Sequence, residues 1–467
     1  MNPPEGHTAD GGSFRDRQGR VYRHGERIIR GLDPTALGDF RLLAGTRFFP
    51  AAVEAGRIIG TRELALADNP LPTAVTGSWA GFLEHRRVPV VSYPYEWTFS
   101  MLRDAALLQL DLLAEALAED FTTKDATPYN VQFVERRPVF IDIPSFQPLA
   151  PGRPWEGYRQ FCELYLFPLM LQAYRDLDFQ PFLRASIDGI GLQQAARLLG
   201  RGAALRRGVT THVKLQAWMD RRYGGAGVDV KANLKQAGFN KSLILANVRK
   251  MRRLVARLDW DAAGSEWVDY AEFHNYSEAD LDQKAAFVAD CVRELQPAGT
   301  WDIGCNRGRF SRIAAEAGGR VLALDVDHAS LDRLYRDTAM PAQVLPLLQN
   351  VLDPSPNRGW RNAERLELAA RDRPDLVLCL ALLHHLVIGG NVPLAEFVDW
   401  LASLAPAVVI EFVEREDGKV RALLRNREDI YSDYDPGNFE AQLQRHFTVR
   451  RKLTLGSGRR HIYFCTR

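Results

Sequence analysis

The sequence predicts an α/β fold, with a Rossmann-like seven-stranded sheet in residues 261–467, preceded by an α+β domain and a basic helical connector. Three observations predict it. Past residue 261, short apolar runs alternate with amphipathic segments, the pattern of βαβ units whose parallel strands are covered by helices. The first of these runs ends in a tight glycine turn that opens a helix. The first 180 residues mix hairpin and helix patterns instead, and the stretch that follows is strongly basic.

Length and composition bound the rest. A chain of 467 residues exceeds one typical core. It is 46% hydrophobic and 25% charged with a net charge of +2, the make-up of a folded soluble protein and neither an acidic tail nor a uniformly basic partner of nucleic acid. The five cysteines (Cys162, Cys291, Cys305, Cys379 and Cys465) are scattered without metal-ligand spacing, which points to a reducing compartment, no disulfide framework and no metal site. Met1 to Gly12 is polar, with none of the apolar stretch of a signal peptide, and no run is apolar enough to span a bilayer. A cytoplasmic protein is expected.

Taken in order, residues 1–13 read as a disordered tail and 14–180 as the α+β domain. Val21–Arg23 and Arg27–Arg30 alternate around Gly25 as a hairpin, and apolar residues recur at helical intervals from Met101 to Leu117. A second hairpin spans Asn130–Val134 and Pro138–Ile143 around Glu135 to Arg137. The run Phe161 to Tyr174 is a mostly apolar, buried helix. Residues 181–260 form the helical connector, with a flexible break at Gly224 to Gly227. From Arg197 to Arg257 it holds 15 Lys or Arg against 2 Asp or Glu. Such a segment is either a solvated surface joining two domains or a face for phosphate, nucleic acid or another polyanion. Few aromatics interleave the charges, which gives base stacking little support.

In residues 261–467, strands are expected at Thr300–Ile303, Val321–Leu324, Val344–Leu348, Leu376–Leu380 and Val408–Val413, with a terminal hairpin from Leu453–Leu455 and His461–Thr466. Ligands of such sheets bind at the carboxyl ends of the strands. There the first strand runs into Asp302-Ile303-Gly304-Cys305-Asn306-Arg307-Gly308. Gly304 and Gly308 let the backbone approach a ligand closely. Asp302 would repel a pyrophosphate but can orient an ammonium group. Asp325, at the end of the second strand, can accept from both hydroxyls of a ribose, with Asp327 the less favoured partner. Asn350 ends the third strand where an adenine edge would lie, and His384-His385 end the fourth.

These motifs resemble the class I methyltransferases that use S-adenosylmethionine, and the chain is similar over most of its length to a bacterial two-part family that includes host-specific nodulation proteins. The likeness rests on Trp301 to Ser311, Leu345 to Asn350, Pro354 to Pro356 with Gly359-Trp360, Leu382 to Leu386, Asn391 to Leu394, and Ile410 to Val413 with Glu416-Asp417. In the first part it rests on Ser92 to Trp97, Lys124 to Asn130 and Phe140 to Asp142. Asn306 stands where the superfamily usually has glycine, and Asn350 where an acid is common. The resemblance implies S-adenosylmethionine as cofactor, held by Asp302, Gly304, Asn306, Gly308, Asp325 and Asn350. It implies methyl transfer to an acceptor such as a hydroxyl of a cell-surface saccharide or a phosphorylated carrier. An oxygen acceptor needs a base, for which His384 or His385 is suited, with Glu411 the second candidate. On an extended segment only one of the two histidines would face the cleft, and His384 is the preferred one. The alternative is a protein that binds the cofactor without turning it over. Asp125, Asn130 and Asp142 also carry the spacing of a protein-kinase-like catalytic loop and metal-binding Asp, although no glycine-rich phosphate loop or clear strand lysine accompanies them. A kinase-like scaffold is expected there rather than a working kinase.

Overall fold

In a computed structural model, which describes residues 6–223, 240–261, 277–425 and 428–467, the chain divides into two compact units. The first comprises residues 1–261 and 357–366, the second 262–356 and 367–467.

The first unit opens with strands β1 (His7–Ala9), β2 (Gly19–His24), β3 (Arg27–Leu32), β4 (Thr61–Leu64) and β5 (Gly81–His85), an antiparallel sheet in the order β1-β2-β3-β5-β4. The expected first hairpin is β2–β3, and Gly25 supplies the left-handed residue (φ 55°) of its tight turn. The tail expected over residues 1–13 is corrected from His7 onward: β1 pairs with β2, and Asp10 caps a short turn over Gly11–Ser13. Polar, glycine-rich composition did not prevent order there, because ladder hydrogen bonds need only the backbone.

Helix Phe99–Ala118, capped by Thr98, follows. Four short strands come next, β6 (Phe121–Thr123), β7 (Val131–Val134), β8 (Arg137–Phe140) and β9 (Phe146–Pro148), with β6 paired to β9 and β7 to β8. The β7–β8 turn holds Glu135 and Arg136 both left-handed, as a two-residue hairpin of native twist requires. The apolar run expected as one helix spans Tyr158–Arg175 and contains a wide turn at Cys162–Leu166. Helices of the basic segment, such as Leu192–Leu199 and Lys241–Val255, belong to the first unit instead of forming a separate connector. Ile244, Val248, Met251 and Val255 make a buried stripe along one face of the Lys241–Val255 helix, which packs against Phe99–Ala118. The expected break at Gly224 to Gly227 lies outside the described residues.

The second unit is the Rossmann-like sheet. Its strands are β10 (Gly299–Ile303), β11 (Arg320–Asp325), β12 (Val344–Leu348), β13 (Leu376–Cys379), β14 (Ala407–Val413), β15 (Thr448–Thr454) and β16 (Arg460–Thr466). They run in the order β12-β11-β10-β13-β14-β16-β15. The first five are parallel, and β16 inserts antiparallel between β14 and β15. Alternate strand residues such as Val321, Ala323, Leu376, Leu378, Val409 and Phe464 pack with helices Glu278–Leu295, Arg309–Glu316 and His328–Arg336 in one core. The strand order reverses between β10 and β13, and the crevice of such a sheet opens at that switch point. Among the described residues, no helix is long and apolar enough to cross a membrane.

Candidate functional site

The loop after β10 is tied to the end of β11. Gly304 and Cys305 both donate their N–H to the Leu324 carbonyl, at 2.8 and 3.1 Å. Gly304 is left-handed (φ 76°), and the nearest atoms a Cβ there would meet belong to the Leu382 side chain, at 3.4 Å or more. Conformation, not crowding, asks for glycine at this position. Asn306 is also left-handed, and its N–H donates to Asp325 Oδ2 at 2.8 Å, while the Asp327 N–H donates to Oδ1 at 2.9 Å. Asp325 thus fixes the loop and still has lone pairs on each oxygen for a diol. Burial pushes its carboxyl above the usual carboxylate range. Gly308, likewise left-handed (φ 75°), caps helix Arg309–Glu316, and a Cβ would lie 2.6 Å from Leu334 Cδ1, so conformation and a close neighbour both favour glycine there.

Asp302 is 2% exposed and accepts the Ser311 hydroxyl at 2.5 Å. Burial pushes its carboxyl up to about 6, with Asp325 adding to the rise and the Ser311 bond and Lys284 opposing it. Asp327, the less favoured ribose partner in the sequence, caps the next helix by accepting from Ser330. Asn350 is exposed, and its side-chain oxygen accepts the Leu352 N–H at 3.0 Å, closing a turn. The buried amide at the end of β12 is its neighbour Gln349, bonded to Ser355 at 2.8 Å.

His384 and His385 do not lie on an extended segment. The strand ends at Cys379, Ala381 turns the chain through a left-handed conformation (φ 54°), and both histidines start a helical turn, their rings 4.3 Å apart. His384 is fully buried, and among the described residues neither of its ring nitrogens meets a hydrogen-bond partner. Burial holds it well below the usual histidine range, with His385 and Arg460 adding to the effect. His385 is only partly buried, and burial followed by Lys419 and Arg460 keeps it neutral to lower pH than a free imidazole. The accessible ring is therefore His385, not the His384 preferred from sequence.

Glu411 is corrected as a candidate base. It is fully buried on β14, 2.5 Å from Lys284 Nζ and 3.5 Å from Arg460, which in turn grips Asp417 through two bonds of 2.9 and 3.1 Å. Two cations and two carboxylates thus balance beneath the rim, and a carboxylate held so by two cations is a poor proton acceptor. Sequence reasoning missed Lys284, Arg460 and Asp417 as partners. Lys284 sits in helix Glu278–Leu295, 127 positions before Glu411, and no local spacing could have linked them.

In the first unit, Arg30 of β3 pairs with Asp142 Oδ1 at 2.7 Å, and Asn130 reaches Oδ2 at 3.4 Å. Asp125 is exposed, its carboxyl raised by partial burial and by Asp142. In the basic segment, Arg197, Arg201, Lys214 and Arg221 line a cavity of about 340 Å³ that no carboxylate lines.

No family model matches the chain. Among solved structures, it is similar to magnesium protoporphyrin IX methyltransferase from Synechocystis PCC 6803 with bound SAH (17% identity, 43% of this chain and 94% of that one, TM-score 0.30). It is similar also to the N-methyltransferase NodS from Bradyrhizobium japonicum WM9 in complex with SAH (11% identity, 43% and 98%, TM-score 0.32). Likeness at these scores carries no argument about activity. The sequence comparison is of another order: over 456 residues, 97% of this chain and 94% of the relative, it is 34% identical to nodulation protein NoeA of Rhizobium meliloti (strain 1021). Identity at that level across both units means that the chain belongs to the family of nodulation protein NoeA.

Proposed function

We propose that the second unit binds S-adenosylmethionine and transfers its methyl group to an acceptor hydroxyl, with His385 as the general base. The observation that carries this reading is the left-handed Gly304 loop at the sheet's switch point, fastened by Asp325, with His385 on the turn that follows the neighbouring strand. The residues present fit the cofactor: Asp325 keeps acceptor capacity for a ribose diol, and a cationic ammonium would favour the ionised form of Asp302. When bound, S-adenosylmethionine supplies an electrophilic methyl on a sulfonium. The chain's own part is alignment, exclusion of water by the apolar Leu382 wall, and removal of the acceptor's proton at an imidazole that stays neutral near pH 7. An accessible imidazole on the turn after β13 favours an enzyme over a protein that only senses the cofactor.

Calorimetry tests the first step. S-adenosylmethionine should bind, and Asp325→Ala should weaken it by about 1–2 kcal/mol; unchanged affinity in that variant removes Asp325 from the site. For the second step, release of S-adenosylhomocysteine with cell extract should fall by about 10²–10⁴ in His385→Ala with cofactor affinity retained. Turnover at the wild-type rate would rule His385 out as the base.

For the first unit we propose a scaffold of kinase-like order without phosphotransfer, since Arg30 already neutralises Asp142. A rise in melting temperature with ATP and magnesium would overturn that. The acceptor implied by the family likeness is a saccharide or a phosphorylated carrier, and the cations around Arg197 and Lys214 suit such a carrier better than a nucleic acid.

A further inference from the structure

The first unit contains a second cavity, of about 320 Å³, lined by Arg15, Tyr129, Arg358, Trp360 and Arg365 among others. All of these residues lie in the first unit, because the segment 357–366 belongs to it although it follows β12 in the chain. That segment is a closed loop: Arg358 N–H donates to the Arg365 carbonyl at 2.8 Å, and Arg365 N–H returns the bond at 3.1 Å. Within it, Gly359, Arg361 and Asn362 are all left-handed (φ 80°, 58° and 55°). Two of the three are not glycine, and such strain persists where the surrounding structure imposes it, often at binding sites. A Cβ on Gly359 would strike the Glu364 side chain at 2.6 Å.

The charges at this cavity are not balanced. Three guanidinium groups meet one carboxylate, Glu364, which already bonds Arg15 at 2.7 Å and the Trp360 N–H at 2.7 Å and lies 3.5 Å from Arg365. Arg365 stacks over Tyr129 (3.9 Å to the ring centroid) and Arg358 over Tyr95 (5.4 Å). Aromatic faces hold a guanidinium flat without neutralising it. Among the described residues, no carboxylate pairs with Arg358, and the buried Nε of Arg365 has no partner. Beside these cations stands Trp360, 64% exposed. Single exposed apolar residues are ordinary; an indole forming one wall of an arginine-lined cavity is not. Moreover, three of the motifs that carry the family likeness, Ser92 to Trp97, Lys124 to Asn130 and Gly359-Trp360, meet here: Tyr93 accepts the Leu366 N–H at 2.9 Å, and its ring lies near both Tyr95 and Tyr129.

We propose that this cavity binds an anionic sugar, its ring stacked on Trp360 and its phosphate or carboxylate held by Arg15, Arg358 and Arg365. Only one aromatic face is open, since the arginines cover Tyr129 and Tyr95, and the lining offers donors without the acceptors that read a nucleobase edge. A sugar needs one apolar face for its C–H groups and many donors for its hydroxyls. The volume suits a single residue with its charged group, at the lower end of small-molecule pockets. In naming the acceptor class of the proposed methyl transfer, the inference rests on that reading; the binding itself does not.

Calorimetry on the full chain, with and without S-adenosylmethionine, uses glucose 1-phosphate, galacturonate, glucose, inorganic phosphate and AMP. At least one anionic sugar should bind 10-fold or more tightly than both glucose and inorganic phosphate. Which of the two binds distinguishes phosphate from carboxylate as the recognised group. Trp360→Ala and Arg358→Gln should each weaken that binding at least 10-fold while S-adenosylmethionine affinity and the melting temperature stay unchanged. Inorganic phosphate binding as well as the sugar phosphate would reduce the cavity to an anion patch, tighter AMP would make it a nucleotide site, and no binding by any probe, or unaffected variants, would refute it. Sugar binding without cofactor binding would sink the methyl-transfer reading alone.

Discussion

In the second unit, Asp302 and Asp325 stand at the ends of adjacent parallel strands and His385 on the turn that follows the next one, whereas the cavity of the first unit draws Arg15, Tyr129 and Arg358 from three distant segments. The two regions also treat charge differently. Beneath the rim of the second unit, Lys284, Glu411, Arg460 and Asp417 neutralise one another away from water. In the first unit the pairs are partly exposed, and the arginines outnumber their carboxylate. Burial explains the contrast: an ion out of water must find its counterion within the fold, while a guanidinium open to water, such as that of Arg15, keeps its hydration until a ligand displaces it. Charge balance marks where the protein is held together, and imbalance marks where it can receive something.

The largest expected effect tests that distinction. Lys284→Met leaves Glu411 buried with one cation fewer and should destabilise the second unit by about 3–5 kcal/mol. Arg30→Met removes the matching partner of Asp142 in the first unit, where the carboxylate is 23% exposed, and should cost about 1 kcal/mol. Denaturation followed by hydrogen exchange in helices Glu278–Leu295 and Phe99–Ala118 separates the two units. Equal losses would break the comparison.

A smaller effect depends on pH. The carboxyl of Asp302 is raised in the folded state from 3.8 to about 6, so the native chain holds that proton more tightly than the unfolded chain does. Its contribution to stability is fully present below about pH 4 and is lost as pH rises through about 6, by linkage. Compared with Asp302→Asn, the wild type should therefore lose stability across that window. A cationic ligand reverses the sign: affinity for S-adenosylmethionine should rise through pH 6 in the wild type and stay flat in the variant. A flat wild-type profile would mean that Asp302 serves Ser311 and no ligand cation.

The same locality explains what could be read from sequence. Parallel strands buried on both faces are continuous apolar runs, so β10 to β14 stand out, and the acid and glycine positions after β10 and β11 follow from them. The roles within the loop were less legible. Gly304 and Gly308 look alike in sequence and both are left-handed, yet a Cβ would be in ordinary contact with Leu382 at the first and only 2.6 Å from Leu334 at the second. The histidine pair was misread because alternation was assumed past Cys379, where the strand has already ended and both rings lie on one helical turn. Lys284 and the loop 357–366 were illegible for a different reason: their partners are set by tertiary packing, and nothing within a few residues of either one signals it.

The smallest expected effects concern strained backbone, of which each unit has one instructive case. Ala381 precedes the histidine turn and Arg361 lies in the Trp360 loop, both left-handed without being glycine. That conformation costs an L-residue about 1–2 kcal/mol, whereas glycine adds about 0.4–1 kcal/mol of unfolded-state entropy. Ala381→Gly and Arg361→Gly should therefore each stabilise the protein slightly, by up to about 1 kcal/mol, measured as a small rise in the midpoint of chemical denaturation. Ala381→Val should destabilise by more than about 1 kcal/mol, because β-branching worsens the clash. The functional outcomes should diverge between the units. In Arg361→Gly the exposed loop gains freedom and Trp360 loses its fixed orientation, so affinity for the anionic sugar should fall even as stability rises. Ala381 leads into a turn pinned by buried neighbours, Leu383 and His384, so glycine there should leave cofactor affinity unchanged. If sugar affinity survives Arg361→Gly, the left-handed pair does not orient the indole, and the strain of that loop has no part in binding.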